Sequence, residues 1–109
     1  MTDQFARYPS LVNRSILITG GAGGIGAVTV ARFAQQGARV AFLDFDAEAG
    51  AKVAAETGAL FIPCDLRDIA ALRAAEAEAA AQLGDITVLV NNAARDDRHA
   101  LEMVEPDYW

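Results

Sequence analysis

The chain predicts an open α/β fold with a doubly wound parallel sheet, and three observations carry that reading. Four apolar runs of strand length recur along it, almost continuous rather than alternating, as suits parallel strands covered by helices on both faces. Segments with apolar residues at helical spacing separate the runs, giving the order β-α-β-α-β-α-β. The first run passes directly into ITGGAGGIGA, in which five glycines fill the seven positions from Gly20 to Gly26. No ordinary strand or helix interior needs that many, because glycine weakens both.

In order, SILIT from Ser15 is the first strand, and Val30, Phe33, Ala34 and Gly37 fall at helical spacing behind it. ARVAFLD from Ala38 is the second strand. AEAGAKVAAETG, beginning at Ala47, has only Val53 as a bulky apolar residue, so the second helix should pack thinly. ALFIPCD from Ala59 is the third strand. DIAALRAAEAEAAAQLG places Ile69, Leu72, Ala79 and Leu83 on one helical face, while Arg73 and Glu76 face water. ITVLVNN from Ile86 is the fourth strand. Pro106, after Glu105, is favoured as a first helical residue, so the start of a further helix is expected there.

No repeat, low-complexity tract or linker divides the sequence, and residues 1–109 read as a single dinucleotide-binding type of domain. The fourth strand would leave one flat apolar edge uncovered, an aggregation hazard. With a helix starting near the end, this predicts an incomplete, truncated domain: the front part of a longer fold.

With about half its residues apolar and no run of 18 or more, the sequence is that of a water-soluble chain with no membrane span. A net charge of -6 argues against non-specific nucleic-acid binding, so a small-molecule ligand is expected instead. MTDQFARYPSL lacks a basic segment followed by an apolar one, which makes a cytoplasmic location the expectation. Cys64 is the single cysteine and has no partner for an internal disulfide; it reads as a packed thiol. His99, the single histidine, makes no metal site by itself.

In a parallel β-α-β unit the loop after the first strand lies at the carboxyl edge of the sheet. There the next helix points free N–H groups and the positive end of its dipole outward. Bare glycine backbone lets a pyrophosphate approach those amides, and tolerates positive φ. Two registers are open. Gly21, Gly23 and Gly26 fit G-x-G-x-x-G, whereas Thr19, Gly20, Gly24 and Gly26 fit T-G-x-x-x-G-x-G.

The second register, with Asp65-Leu66 closing the third strand and Asn91 to Ala94 (NNAA) closing the fourth, resembles the short-chain dehydrogenase/reductase family. Ala94 stands where that family usually has the glycine of N-N-A-G. The resemblance implies a Rossmann-type fold and a nicotinamide cofactor held by Gly20, Gly24, Ile25 and Gly26. It also implies that Asp65 bonds the adenine amino group, that Leu66 contacts the base, and that the Asn91–Ala93 backbone passes beside a ribose. Asn91 reads equally as a strand-end cap.

Asp44 ends the second strand roughly twenty residues past the loop, where a carboxylate can accept both adenosine ribose hydroxyls; a surface aspartate flanking a helix is the alternative. A 2′-phosphate there would face like charge, at a cost on the order of 1 to 4 kcal/mol at about 4 Å. Neither Gly21 to Gly23 nor Phe45 brings a compensating cation, so the expected cofactor is NAD rather than NADP.

The family's chemistry uses a tyrosine with a lysine four residues on, and a serine. Here the tyrosines are Tyr8 and Tyr108 and the lysine is Lys52, so neither tyrosine has its lysine. The resemblance therefore covers the cofactor-binding portion, with no catalytic residue in it, of an oxidoreductase whose full-length form is a homo-oligomer. RYPSL, FLDFD and DDRH together look like the family's sugar (aldose) dehydrogenases, which oxidise a secondary or anomeric hydroxyl by hydride transfer to NAD. Asp96, Asp97, Arg98 and His99 then become candidate substrate-binding residues, or else an ordinary solvated loop with internal salt bridges. Two other readings stand beside the enzyme: a non-catalytic dinucleotide-binding or interaction module, and a remnant without function.

Overall fold

The computed structural model describes residues 6–93. Within them the order is η1 (Pro9–Leu11), β1 (Ser15–Thr19), α1 (Gly24–Gln35), β2 (Arg39–Asp44), α2 (Ala47–Thr57), β3 (Leu60–Pro63), α3 (Ile69–Leu83) and β4 (Val88–Asn91). The strands form one parallel sheet in the order β3-β2-β1-β4. This is the Rossmann-type doubly wound sheet expected, seen in part.

Strand order explains which helix lies where. The chain steps from β1 to β2 to β3 in one direction, then turns back past β1 to lay down β4. Because such crossovers are right-handed, α1 and α2 share one face while α3 takes the other. Both faces are dry at the centre. Ile16, Ile18, Val40 and Phe42 pack with Val30 of α1 and Val53 of α2. Leu17, Ala41, Leu43 and Ile62 pack with Ala75, Ala79 and Leu83 of α3. Successive residues of β1 and β2 thus point to opposite faces and are buried on both.

The second helix buries Gly50 and Val53 against the sheet. A Cβ on Gly50 would overlap the Phe61 ring, so bare backbone lets α2 settle directly on Phe61, which stacks on Phe42 with centroids 5.1 Å apart. Two details depart from expectation. Gly37 lies beyond α1 at φ 84° and turns the chain out of the helix, rather than lying on its apolar face. Ile69, expected inside, is exposed, because it is the first residue of α3. The short helix η1 was not foreseen. Its segment is tied to the end of α1 by Gln36, whose side chain accepts from the Tyr8 N–H at 2.9 Å and donates to the Ala6 carbonyl at 2.8 Å.

The expected helix start at Pro106 lies outside the described residues.

Candidate functional site

Reversal of strand order between β1 and β4 opens a crevice at their carboxyl ends, the place where open α/β sheets take their ligands. The glycine stretch forms one wall and Asn91 to Ala93 the other. Hydrogen bonds join the walls: the Thr19 hydroxyl donates to Asn91 Oδ1 at 3.1 Å and accepts from the Ala93 N–H at 3.0 Å, while Asn92 Nδ2 donates to the Gly20 carbonyl at 3.1 Å. Thr19 and Asn92 are thus structural members of the site. The sequence marked Asn92 as part of NNAA, with its backbone beside a ribose, but not this side-chain bond to a residue 72 positions away.

The five glycines have different reasons to be bare. A Cβ on Gly21 would run into Phe42, and one on Gly26 would overlap the Gly20 carbonyl, which brings α1 against the end of β1. Gly20 combines φ 71° with close contact to Ala93. These three are required by the chain's own packing. Gly24 has φ 57°, yet a Cβ there would meet nothing within 4 Å; at Gly23 neither backbone nor neighbours require glycine. The open side of the loop faces outward, beside the exposed Ile25.

α1 also starts differently from its neighbours. Asp46 and Asp68 cap α2 and α3, accepting from the N–H groups of Ala49 and Ala71. Gly23 at the N-cap of α1 has no side chain to do so. The positive end of that helix is left to the crevice.

Asp44 ends β2 beside the loop and is half-buried. Its Oδ2 accepts from the Ala22 N–H at 3.1 Å and its Oδ1 from the Asp46 N–H at 3.0 Å. The carboxylate therefore holds the glycine loop to β2, and each oxygen keeps acceptor capacity for a further donor. One strand further out, exposed Asp65 follows β3, and Leu66 packs partly against the α3-side core. Arg67 closes on Asp65: its N–H and Nε reach Oδ1 at 3.0 and 3.1 Å, and Nη2 reaches Oδ2 at 3.2 Å. These bonds hold the Asp65 carboxyl below its ordinary range. Cys64 is buried, which, with the charges of Asp65 and Asp68, pushes its thiol up and leaves it a packed, unreactive group.

Gly20, Gly24, Ile25, Gly26, Asp44, Asp65, Leu66, Asn91 and Ala93 thus all fall along one edge, spread over β3, β2, β1 and β4. Ala94, Asp96, Asp97, Arg98 and His99, and with them Tyr108, lie outside the described residues. Among the described residues no group of His, Cys, Asp or Glu is arranged to hold a metal. An indentation of about 330 Å³ lies at the opposite, amino edge of the sheet. Its Arg39 and Thr57 side chains already bond the Gln82 and Val53 carbonyls, so little is left to fix a ligand. The glycine edge is an open shelf, and its donors and acceptors make it the better candidate.

Residues 14–109 match the family model described as short chain dehydrogenase. A protein named as a probable galactose dehydrogenase of Rhizobium meliloti is 54% identical over 115 aligned positions, covering 100% of this chain and 45% of that protein. A D-xylose 1-dehydrogenase of Caulobacter vibrioides is 47% identical over 109 positions, covering 95% and 42%. The chain thus spans less than half the length of these relatives. Among solved structures, a 3-ketoacyl-(acyl-carrier-protein) reductase of Brucella melitensis complexed with NADH aligns with a TM-score of 0.76 at 33% identity, covering 90% of this chain and 41% of that one. A short chain dehydrogenase of Burkholderia cenocepacia in complex with NADP aligns with a TM-score of 0.78 at 34% identity, covering 90% and 42%.

Proposed function

The chain belongs to the short-chain dehydrogenase family, and from that premise we propose that it is the NAD-binding amino-terminal part of a dehydrogenase that oxidises a secondary or anomeric hydroxyl of a sugar. The observation that carries this reading is the placement of Asp44 beside the uncapped start of α1. Anion-binding amides and a diol-binding carboxylate occupy neighbouring strand ends, the pairing that an adenosine pyrophosphate requires.

Strand order supplies the rest. Neighbouring strands lie about 4.8 Å apart, close to the step from phosphate to ribose and from ribose to base. A dinucleotide with its pyrophosphate at α1 and a ribose at Asp44 would carry its base to Asp65 and Leu66 beyond β3. Its other half would run toward Asn91 and Ala93 at β4. Gly24 and Ile25 would offer open backbone to the phosphates, while Gly20 and Gly26 hold the loop and helix in place. When bound, NAD supplies the hydride acceptor; the residues of this chain bind and orient it.

Preference for NAD over NADP rests on Asp44. A 2′-phosphate would meet its carboxylate, and Arg67, a cation of this edge, is engaged by Asp65. A sugar substrate is supported by the galactose and D-xylose dehydrogenases among the relatives, and Asp96, Asp97, Arg98 and His99 are the residues assigned to it. We extend the proposal to a cytoplasmic, homo-oligomeric whole protein with a small-molecule substrate and neither nucleic acid nor membrane as partner.

The test is calorimetric titration of the chain with NAD and with NADP. The native chain should prefer NAD. Asp44→Ala should weaken NAD roughly 10- to 100-fold, in line with about 1.5 to 3 kcal/mol for hydrogen bonds to a charged group, and should erase the preference. Asp44→Asn keeps an oxygen for the Ala22 N–H and should erase the preference with the loop intact. An unchanged preference in both variants would refute the role of Asp44.

A further inference from the structure

We infer that Arg67 is a positioning residue that sets the chain's selectivity for a 6-aminopurine, by locking the Asp65 carboxylate with a single acceptor position left for the base. The inference rests on the reading above, in which the base of the dinucleotide lies at the end of β3.

Its ground is the geometry of residues 65–68. A carboxylate offers about four acceptor positions, two on each oxygen. Oδ1 of Asp65 is filled by the Arg67 N–H at 3.0 Å and Nε at 3.1 Å; Oδ2 takes Nη2 at 3.2 Å, so one position on Oδ2 remains. The turn that brings Arg67 back over Asp65 is itself closed, by the Asp68 N–H donating to the Asp65 carbonyl at 3.0 Å. Asp68 is in turn held in place as the cap of α3.

An exposed ion pair of this kind adds little to folding stability. Its effect is directional. A planar guanidinium gripping both oxygens fixes the plane of the carboxylate, which a lysine ammonium cannot do. The remaining position can accept one N–H from an exocyclic amino group. A base with a carbonyl at that place would set acceptor against acceptor and leave both unpaired, the kind of mismatch on which selectivity by a polar site depends. Without the guanidinium only the N–H of residue 67 still holds Oδ1, so the carboxylate can swing about that one bond and leave the position to water, and the two bases become alike to the site.

The experiment titrates the whole chain with NAD and with nicotinamide hypoxanthine dinucleotide, which carries a carbonyl in place of the adenine amino group. Calorimetry gives the affinities, and far-UV circular dichroism checks the fold of each variant. Arg67 is 87% exposed, so its replacement should leave the fold intact. The native chain is expected to bind NAD at least 10-fold more tightly than the hypoxanthine analogue. In Arg67→Ala the ratio should fall to within about 3-fold, mostly through weaker NAD binding. Arg67→Lys keeps the charge without the fork and should behave like Arg67→Ala. A native ratio near one, a ratio unchanged in Arg67→Ala, or full selectivity in Arg67→Lys would each overturn the inference while NAD binding itself stands. Failure of the native chain to bind either dinucleotide would overturn the cofactor reading and this inference together.

Discussion

Gly24 and Gly26 lie two residues apart in the same helical turn and fail in different ways when a methyl group is added. At Gly26 the new carbon would overlap the Gly20 carbonyl and approach Asn92 Nδ2 at 2.7 Å, so the end of β1 and the start of α1 would have to separate. Gly26→Ala should therefore cost about 1 to 3 kcal/mol, the usual range for forcing extra volume into a packed contact. At Gly24 there is no neighbour to meet, and the cost is that of holding alanine at φ 57°, roughly 1 to 2 kcal/mol. Its methyl group would stand in the open space above the start of α1, so NAD affinity should drop at least about 10-fold. Urea denaturation without ligand, followed by NAD titration of the folded variants, checks both. Native NAD affinity in Gly24→Ala would mean that the phosphates do not pass over this residue. The distinction was only half legible in the sequence. A run of glycines announces close backbone approach, but which of them serve internal packing depends on Phe42 and Ala93, residues distant in the chain. The same holds for Asp44. Its position at the strand end could be read from spacing, whereas its grip on the Ala22 N–H could not.

The three helices share one design at their starts except where the ligand is expected. Asp46 and Asp68 satisfy the first turns of α2 and α3, and Gly23 leaves α1 without such a cap. Gly23 is extended and has free space around it, so a larger residue fits. Gly23→Asp should install the missing cap and place a negative charge at the positive end of the helix. That should stabilise the ligand-free chain by about 0.5 kcal/mol. It should also weaken NAD at least about 10-fold, since the new carboxylate competes for the same N–H groups and repels phosphate. Thermal denaturation and NAD titration read the two effects separately; a rise in both stability and affinity would contradict an anion site here. The four strands and the three α-helices between them were legible as types, because continuous apolar runs and 3.6-residue spacing reflect burial directly, whereas η1 was not. Element ends were less legible. The third strand read from Ala59 to Asp65 is a strand over Leu60–Pro63, with one further bond to β2 where the Cys64 N–H donates to the Asp44 carbonyl at 2.9 Å. Gly37 read as part of a helix face because spacing alone cannot distinguish a buried small residue from one that ends the helix.

Across the whole sheet, coverage rather than strand composition decides where stability resides. Leu17 of β1 and Leu89 of β4 are partners in the parallel register and project to the same face. Leu17 is 3% exposed, packed beneath α3 with Leu43 and Ala79, whereas Leu89 is 60% exposed. The difference follows from the path of the chain: α3 crosses from β3 toward β4 over the middle strands, so β4 lies beyond its cover among the described residues. Both leucines belong to apolar runs that looked equally buried in the sequence, because periodicity reports which face a residue takes and not what lies above it. Leu17→Ala should cost about 2 to 5 kcal/mol, the range for removing a core leucine and leaving a cavity, a large share of the total stability of a domain this size. Leu89→Ala should cost under about 1 kcal/mol in this chain. Urea midpoints at constant m-value measure both. A loss at Leu89 comparable to that at Leu17 would show that β4 is covered in solution, by residues outside 6–93 or by a second copy. Sedimentation of the native chain at two concentrations would then separate those cases, because only cover by a second copy depends on concentration.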